Sequence, residues 1–412
     1  MVFDGSGSEP QRADVLIAGD RIAQFGTIDA GLFPAAERID VAGATILPGF
    51  IDCHVHVLMS ELDMWKVAQT PFSLSFYQGA ENLRRTLHAG ITTARDAAGA
   101  DYGVKRALEL GLISGPRLLI SITMLSQTGG HGDGHLLSGS DVPFSQPHPG
   151  APSGIIDGPQ QARFKVRELL RAGADWIKVA TSGGVLSEDD PNHRQLRDDE
   201  LAEIVAEASF AGVDVMAHAH APAGIKAAVR SGARSIEHGV YLDDEAIELM
   251  LERGTWLVPT LTAPLDVIHR AEQGDVSLPT GAVHKAQELA AIHVDSFARA
   301  VAAGVHVAMG TDSGVGVHGN NLNELALMAA AGMAPLQVLR AATSGAAQLL
   351  RLDHELGAVR AGLAADLLVV RGDICDLVTL PKRIDSVMQS GRIVFQQQRE
   401  PSNPALRAGS DG

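Results

Sequence analysis

Chemically reactive side chains recur where short apolar segments end, and this recurrence constrains the fold more than any single motif. The first segment ends in Asp52-Cys53-His54-Val55-His56, and later segments end in Lys178, His218, His238 and Asp312. Because strand side chains alternate between two faces, His54 and His56 point to the same face. Together these imidazole, amine and carboxylate groups could hold a pair of divalent metal ions, provided that the fold brings the segment ends together.

Short apolar or β-branched segments alternate with stretches of helical periodicity, which predicts a parallel sheet. The segments span residues 46–56, 91–96, 117–124, 176–181, 213–218, 235–238, 255–260 and 306–312. Between them, one predicted helix contains Gln161 and ends near Gly173, and another begins at Asp198 and ends at Gly212. Eight repeats fit a closed (β/α)8 TIM barrel, which carries its chemistry at the carboxyl ends of the strands, where the candidate ligands fall.

The two ends of the chain have the pattern of a second, smaller domain. Short strand-like runs bounded by turn residues occur in residues 1–47 and again in residues 354–400. We therefore expect these two segments to form one small β-sandwich beside a barrel of residues 48–353. The polar residues 401–412 are expected to form a frayed tail.

Composition restricts the partners and the compartment. The net charge of −16 and the pI of about 5.4 argue against nucleic acid or an anionic membrane as a partner. The sequence contains no run of 18 or more apolar residues, so no membrane-spanning segment is predicted. With only Cys53 and Cys375 present, a disulfide framework is not expected, and the cytoplasm is the default location. The chain begins without a charged or apolar leader, and removal of one from a longer precursor stays open.

Nine motifs distributed along the whole chain support a family resemblance. They are Pro48-Gly-Phe-Ile-Asp-Cys-His-Val-His, Gly90-Ile-Thr-Thr-Ala-Arg-Asp, Thr128-Gly-Gly-His-Gly, Trp176-Ile-Lys-Val, Ser182-Gly-Gly-Val, Ala217-His-Ala-His, Ser235-Ile-Glu-His-Gly, Gly310-Thr-Asp-Ser and Gly362-Leu-Ala-Ala-Asp-Leu. The chain resembles the amidohydrolase superfamily of metal-dependent hydrolases. More narrowly, it resembles the Xaa-Pro dipeptidase, carboxypeptidase-like and imidazolonepropionase-related branch with a carboxylated lysine, which includes ochratoxin-type amidases.

The resemblance implies a binuclear centre. One metal would be bound by His54, His56 and Asp312, and the other by His218 and His238. Lys178 would bridge both ions after N6-carboxylation, since an anionic carbamate offers two oxygens where an ammonium offers none. Nitrogen and oxygen ligands of this kind suit Zn²⁺ best, with manganese, cobalt or iron as alternatives.

Further roles follow from the same resemblance. Asp312 would take a proton from the attacking water and deliver it to the departing amine. His131 would polarise the scissile carbonyl and contact substrate, although a histidine in a Gly-rich loop can lack any role. His220 lies two positions after His218, so either could be the ligand; we favour His218 and place His220 against substrate. His220 packing in the following loop is an equal alternative.

Two long loops are expected to determine specificity. Residues 59–78 are rich in aromatic residues, although the chain as a whole has few of them. Residues 125–158 are rich in Gly, Pro and Ser. The first loop suggests a substrate with a hydrophobic body, or a contact between subunits of a homo-oligomer. Asp52 is expected to have a structural role, and Arg95 with Asp96 either supports the site or forms a buried pair.

The predicted reaction is hydrolysis of an amide bond in a small-molecule substrate. The released group would be a C-terminal amino acid, from a dipeptide, an N-acyl amino acid or an aromatic amide such as ochratoxin. Hydrolysis of a cyclic amide or a lactone is the alternative. Deamination is disfavoured because the segment after His218 lacks the glutamate expected of a deaminase. A non-enzymatic scaffold is disfavoured because every expected ligand is present.

Overall fold

The computed structural model describes residues 1–136, 138–142, 147–187, 189–274, 278 and 281–397. Its strands are β1 Asp14–Ala18, β2 Arg21–Gly26, β3 Thr45–Pro48, β4 Phe50–Val55, β5 Ile91–Asp96, β6 Arg117–Ile120, β7 Met124–Leu125, β8 Trp176–Ala180, β9 Asp214–Ala219, β10 Ser235–His238, β11 Trp256–Val258, β12 Leu367–Val370, β13 Ile384–Gln389 and β14 Arg392–Gln396. Its α-helices are α1 Met64–Gln69, α2 Phe72–His88, α3 Tyr102–Glu109, α4 Pro159–Arg171, α5 Asp198–Phe210, α6 Pro222–Ser231, α7 Asp244–Arg253, α8 Thr262–Glu272, α9 Ala282–Ala303, α10 Asn323–Ala330, α11 Pro335–Ala341 and α12 Ser344–Leu349. No helix in these described ranges is both long and apolar enough to cross a bilayer.

Two parallel sheets form the centre of the molecule. One has the order β4-β5-β6, and the other has the order β11-β10-β9-β8-β7. Every residue of β4, β5, β8, β10 and β11 is buried. Burial on both faces is typical of parallel strands covered by helices, and the polar residues of these strands are therefore buried as well.

Residues 306–313, which contain the predicted eighth strand 306–312, lie between these two sheets. The Leu257 N–H of β11 donates to the His306 carbonyl at 2.8 Å, and the Cys53 N–H of β4 donates to the Met309 carbonyl at 2.9 Å. Parallel bridges also join this segment to both sheets. The segment does not form a regular strand. Gly310 approaches β11 so closely that a Cβ there would lie 2.3 Å from Val258 Cγ1.

The structure corrects two of the predicted strands. Residues 46–56 are divided at Gly49 into β3 and β4, which belong to different sheets. A Cβ at Gly49 would lie 2.2 Å from Thr92 Oγ1, so the chain crosses from one sheet to the other at the residue without a side chain. Residues 117–124 are divided into β6 and β7 around Ile122, whose φ is 68°.

The helices begin and end close to where periodicity predicts them. Helix α5 carries acidic residues in its first turn, and Glu200 Oε2 accepts a hydrogen bond from the Arg197 N–H at 2.7 Å. The buried face of this helix includes Leu201, Ile204 and Ala208. Favourable charge at the amino end and an apolar face thus explain this element.

Both chain ends contribute to antiparallel structure. The four-stranded sheet has the order β14-β13-β12-β3, and β1 pairs with β2 in a separate hairpin. A small core of Val2, Ile22, Val359, Ala365 and Leu367 lies in this region. Strand β3 extends to Pro48, just past the expected boundary. The expected frayed tail, residues 401–412, lies outside the described residues.

Residues 59–78 are not the single loop that was predicted. They contain α1 and the start of α2. The Asp63 carboxylate caps α1 by accepting hydrogen bonds from the Trp65 and Lys66 N–H groups. A helix of six residues is too short to produce a readable hydrophobic period, which is why the sequence pattern missed it.

Candidate metal centre

A cavity of about 1020 Å³ opens at the carboxyl ends of the parallel strands. Its lining includes all eight predicted catalytic, metal-binding and substrate-binding residues, namely His54, His56, His131, Lys178, His218, His220, His238 and Asp312. They lie on or directly after β4, β8, β9 and β10, in the segment after β7 and in the 306–313 segment. The fold therefore gathers residues that are up to 258 positions apart into one concave site.

His54 and His56 both face Asp312. The Asp312 Oδ1 atom lies 3.4 Å from His54 Nε2 and 3.2 Å from His56 Nε2. On the opposite side of each ring, His54 Nδ1 lies 2.7 Å from Glu237 Oε2, and His56 Nδ1 lies 2.8 Å from the Ala98 carbonyl oxygen. Because carboxylate and carbonyl oxygens only accept, each Nδ1 carries a proton. Nε2 of each ring therefore donates to Asp312 when the ring is protonated and carries the lone pair when the ring is neutral.

His238 and His218 are held in different orientations. His238 Nδ1 lies 2.7 Å from Thr260 Oγ1, which leaves Nε2 for the cavity. His218 Nε2 lies 3.1 Å from the Gly183 carbonyl oxygen, so its neutral ring keeps the lone pair on Nδ1. Ligand atoms of His54, His238 and Asp312 all lie within 4.8 Å of one another. These three residues could bind a metal ion.

The chemistry of the donor set fits a cation. When both rings are neutral, two imidazole lone pairs and a carboxylate oxygen converge at the contact between His54, His56 and Asp312. Such lone pairs repel one another unless a positive charge lies between them. Histidine nitrogens with a carboxylate, their far sides fixed by hydrogen-bonded neighbours, are the usual ligands of zinc and similar ions.

Burial keeps most of these histidines neutral. Burial, together with the neighbouring positive groups, lowers the pKa of His218, His220 and His238 well below the ordinary value. Burial also acts on His56, but its hydrogen bond and charge interaction with Asp312 outweigh it and raise that pKa. For Asp312, burial is outweighed by the hydrogen bonds to His54 and His56, and the pKa lies well below its usual range. Neutral imidazole and ionised carboxylate are the forms that bind metals.

Lys178 is the buried amine of the site, and its side chain is 2% exposed. Burial lowers its pKa to about 8, although the charges of Glu237 and Asp312 oppose this effect. A neutral amine is therefore much more accessible here than at an exposed lysine. The neutral amine is also the form that can add carbon dioxide.

Glu237 and Arg95 form a buried ion pair beneath His54. Arg95 Nη2 lies 2.9 Å from Glu237 Oε1, both side chains are fully buried, and the guanidinium also stacks on Trp176 at 4.4 Å from the ring centre. Glu237 thus connects Arg95 to the Nδ1 atom of His54. The sequence left open whether Arg95 and Asp96 support the site or form a buried pair with each other. For Arg95, support of the site is the interpretation that fits. Asp96 instead accepts hydrogen bonds from the N–H groups that follow β4 and β5.

Asp52 has the structural role that was expected. Its carboxylate accepts hydrogen bonds from Thr311 Oγ1 and Asn321 Nδ2, each at 2.7 Å, and from the His54 N–H at 3.1 Å. It thereby ties β4 to the segment that carries Asp312. Burial raises the pKa of Asp52 to about 6, and these hydrogen bonds limit the rise.

Backbone strain is concentrated at this rim of the cavity. His238, Thr260 and Asp312 have φ angles of 72°, 52° and 60°, in the left-handed region that non-glycine residues seldom adopt. Each conformation of this kind costs on the order of 1–3 kcal/mol. The surrounding hydrogen bonds therefore hold these residues against the backbone preference.

Residues 45–394 match the amidohydrolase family. The chain belongs to the amidohydrolase family. Ochratoxinase of Aspergillus niger is 34% identical over 419 aligned positions, which cover 95% of this chain and 85% of that protein. A solved Xaa-Pro dipeptidase with methionine bound in its active site is similar with a TM-score of 0.86 and 31% identity, over 96% of this chain and 98% of its own. A prolidase complexed with N-methylphosphonate-L-proline gives a TM-score of 0.88 and 35% identity, over 96% and 98% of the two chains.

Membership of the amidohydrolase family agrees with the resemblance read from the motifs, and the relatives include the dipeptidase and ochratoxinase types that it named. The protein is a hydrolase of amide bonds, and it acts on small peptide or amide substrates. Its fold is of the TIM-barrel-like α/β type. The family generally uses divalent metal ions, and the His54, His238 and Asp312 group provides a place for one.

Two of the histidines that line the cavity have a buried ring nitrogen that no described residue satisfies. His220 Nδ1 and His293 Nδ1 are buried without a hydrogen-bond partner among the described residues. The His220 ring stacks on His238 at 5.0 Å, so it lies beside the candidate ligands. His293, which the sequence patterns did not single out, also lines the cavity and bonds through Nε2 to the His238 carbonyl at 2.9 Å.

The aromatic residues of 59–78 do not line the described cavity wall. Trp65 and Tyr77 are 58% and 75% exposed, and Phe76 packs against His148 at 5.2 Å between ring centres. The apolar wall on this side comes instead from Leu58, Met59 and Val67. The expected hydrophobic surface is present, but aliphatic side chains and a methionine supply it.

Proposed function

We propose that this amidohydrolase is a binuclear, metal-dependent enzyme that releases a C-terminal amino acid from dipeptides, N-acyl amino acids or aromatic amides such as ochratoxin. The observation that carries the proposal is the approach of two histidine nitrogens to one carboxylate oxygen in the cavity, with His54 Nε2 3.4 Å and His56 Nε2 3.2 Å from Asp312 Oδ1. Similarity to a dipeptidase, a prolidase and ochratoxinase supports this substrate class.

The ligand assignment follows the two groups of histidines. We assign His54, His56 and Asp312 to one metal ion and His218 with His238 to the other, with N6-carboxylated Lys178 between them. Zinc is the preferred ion because the donors are imidazole nitrogens and carboxylate-type oxygens. When bound, two such ions lower the pKa of a water molecule and polarise the scissile carbonyl.

The protein's own groups perform the remaining steps. The Asp312 carboxylate accepts the proton of the attacking water and returns it to the departing amine, because it is the ionised acceptor that faces the cavity. His131 and His220 line the same cavity and contact substrate beside the scissile bond. The apolar wall of Leu58, Met59 and Val67 excludes water and packs against the hydrophobic body of the substrate.

The architecture of the whole chain is part of the proposal. The hydrogen bonds of residues 306–313 to both β4 and β11 support closure of the parallel strands into an eight-stranded barrel of residues 48–353. Residues 1–47 and 354–400 would form the β-sandwich, for which the sheet of β3, β12, β13 and β14 is the support. A homo-oligomer in the cytoplasm remains our prediction for the assembly and its location.

The test is amino-acid release from a panel of N-acyl amino acids, dipeptides and aromatic amides of the ochratoxin type, using zinc-loaded protein with the metal content measured. Release of the C-terminal residue, with about two metal ions per chain, is the expected result. Silence across the panel from protein that holds both ions would contradict the proposal and favour cyclic amides or lactones. A metal content near one would contradict the binuclear centre alone.

A further inference from the structure

His131 belongs to a closed ring of hydrogen bonds outside the candidate metal centre. Its N–H donates to Gln195 Oε1 at 2.9 Å, and its Nδ1 lies 2.8 Å from Ser187 Oγ. Ser187 Oγ contacts Asp189 Oδ1, and Gln195 Nε2 contacts Asp189 Oδ2. The loop after β8 therefore holds both the backbone and the ring of a histidine that follows β7.

The direction of every hydrogen bond in this ring is determined by its atoms. A backbone N–H only donates, so Gln195 presents its oxygen to His131 and its NH₂ group to Asp189. A carboxylate only accepts, so the single hydroxyl proton of Ser187 goes to Asp189. The Ser187 oxygen is then left to accept from His131, and the proton of a neutral ring must be on Nδ1.

We propose that Ser187, Asp189 and Gln195 are positioning residues that fix His131 as the Nδ1–H tautomer and leave Nε2 as a hydrogen-bond acceptor. His131 lines the cavity and stacks on His218 with 4.2 Å between the ring centres. In this state Nε2 carries a lone pair and no proton. The consequence for catalysis rests on the proposed function; the tautomer itself does not.

The loop is built to hold this ring in place. Lys285 of α9 directs its ammonium to three backbone carbonyls of the loop, those of Gly184 at 3.3 Å and of Ser187 and Asp189 at 2.8 Å each. All three donors of the ammonium are thereby used within one short segment. A Cβ at Gly184 would lie 2.2 Å from His131 Cε1, so only glycine admits the imidazole at this position.

Asp189→Asn provides the sharpest test because it should reverse the direction of the hydrogen bonds that link residue 189, Ser187 and His131. The asparagine must present its oxygen to the Gln195 NH₂ group, so its own NH₂ group faces Ser187. Ser187 then accepts from Asn and donates its hydroxyl proton to His131 Nδ1, which moves the ring proton to Nε2. Long-range ¹H–¹⁵N correlation spectra of ¹⁵N-histidine-labelled protein, with His131→Gln for assignment, report which nitrogen carries the proton.

The expected result is an Nδ1–H ring in the wild type and an Nε2–H ring in Asp189→Asn. The matched control is Asp190→Asn, since Asp190 is the exposed neighbour whose carboxylate accepts from the Asn192 N–H at 2.9 Å outside the ring. This control should retain the Nδ1–H form. An Nε2–H ring in the wild type, or the same tautomer in wild type and Asp189→Asn, would overturn the proposal.

Kinetics separate this inference from the proposed function. With a substrate that the wild type hydrolyses, Asp189→Asn and Ser187→Ala should each lower kcat by about 10- to 100-fold, by analogy with the loss of residues that orient metal-binding histidines. KM should change much less, and the double variant should be no worse than either single one, because both break the same ring. If both variants fold and keep the full kcat, the catalytic consequence is refuted. If the wild type has no amidase activity, the proposed function is refuted, but the tautomer measurement remains a valid test of the positioning residues.

Discussion

Glu237→Gln is the substitution for which the structure gives the most definite magnitude. Burial raises the pKa of Glu237, but the charges and hydrogen bonds of Arg95 and His54 outweigh it and hold that pKa at about 2, against an ordinary value of 4.5. A difference of this size corresponds to about 3 kcal/mol in favour of the ionised form. Removal of one partner of a buried pair typically destabilises by about 3–5 kcal/mol, so two separate arguments agree. We expect the metal-free variant to lose about 3 kcal/mol of unfolding free energy at pH 7.

The same substitution should weaken metal binding. The NH₂ group of a glutamine would face His54 Nδ1, and two donors cannot share a hydrogen bond. The imidazole relieves this conflict by moving its proton to Nε2, the nitrogen that faces Asp312. We expect the affinity for zinc to fall by about 10- to 100-fold, as measured by competition with a chromophoric chelator.

Urea unfolding of metal-free protein provides the assay for stability, and Glu81→Gln is the matched control. Glu81 also pairs with two arginines, Arg84 and Arg85, but on the surface, so its substitution should leave the midpoint of unfolding nearly unchanged. The folded-state pKa of Glu237 is depressed, so its stabilisation is complete above pH 4.5 and is lost as the pH falls through about 2. Equal midpoints and equal zinc affinities for wild type and Glu237→Gln at pH 7 would refute this reasoning.

Three further predictions concern separate features. Lys178→Ala should lose metal and activity, with partial rescue of both by short carboxylic acids; metal analysis tests this, and full activity without added acid would exclude a bridging role. His218→Ala should retain about one metal ion per chain, whereas His220→Ala should retain two, and the reverse result would move the ligand to His220. Burial raises the pKa of Asp266 from 3.8 to about 6, so its contribution to stability is complete below pH 3.8 and lost as the pH rises through 6. The unfolding free energy of Asp266→Asn, relative to that of the wild type, should therefore rise by about 1–2 kcal/mol from pH 4 to pH 8. A difference between the two proteins that stays constant over this range would contradict the prediction.

The residues around the cavity were predictable where a polar side chain interrupts an apolar strand. His54, Lys178 and His218 stand out in this way, because buried polar groups persist when they have partners. Glu237 could not be found by the same reasoning. Strand alternation places it on the opposite face from its neighbour His238, and its link to the site runs through His54 and Arg95, which lie on other strands.

The remaining differences between sequence and structure arise from contacts between distant segments. Nothing in the local pattern pairs Ser187 and Asp189 with His131, because a loop has no period from which to read orientation. The division of the first predicted strand at Gly49 depends on the closeness of Thr92, a residue 43 positions later. Local pattern therefore identifies elements and candidate ligands, whereas their hydrogen-bonded surroundings depend on how distant segments pack in the fold.

The left-handed backbone at Thr260, beside His238, has a consequence for attempts to engineer this protein. Thr260 holds His238 Nδ1 through its hydroxyl at 2.7 Å, yet a β-branched residue at a φ of 52° is among the least suited to that conformation. Glycine there would relax the backbone and remove the hydroxyl at once. Selection of variants for heat resistance alone would favour such a replacement while leaving the imidazole free to rotate. A screen of this protein for thermal tolerance should therefore score turnover in the same round.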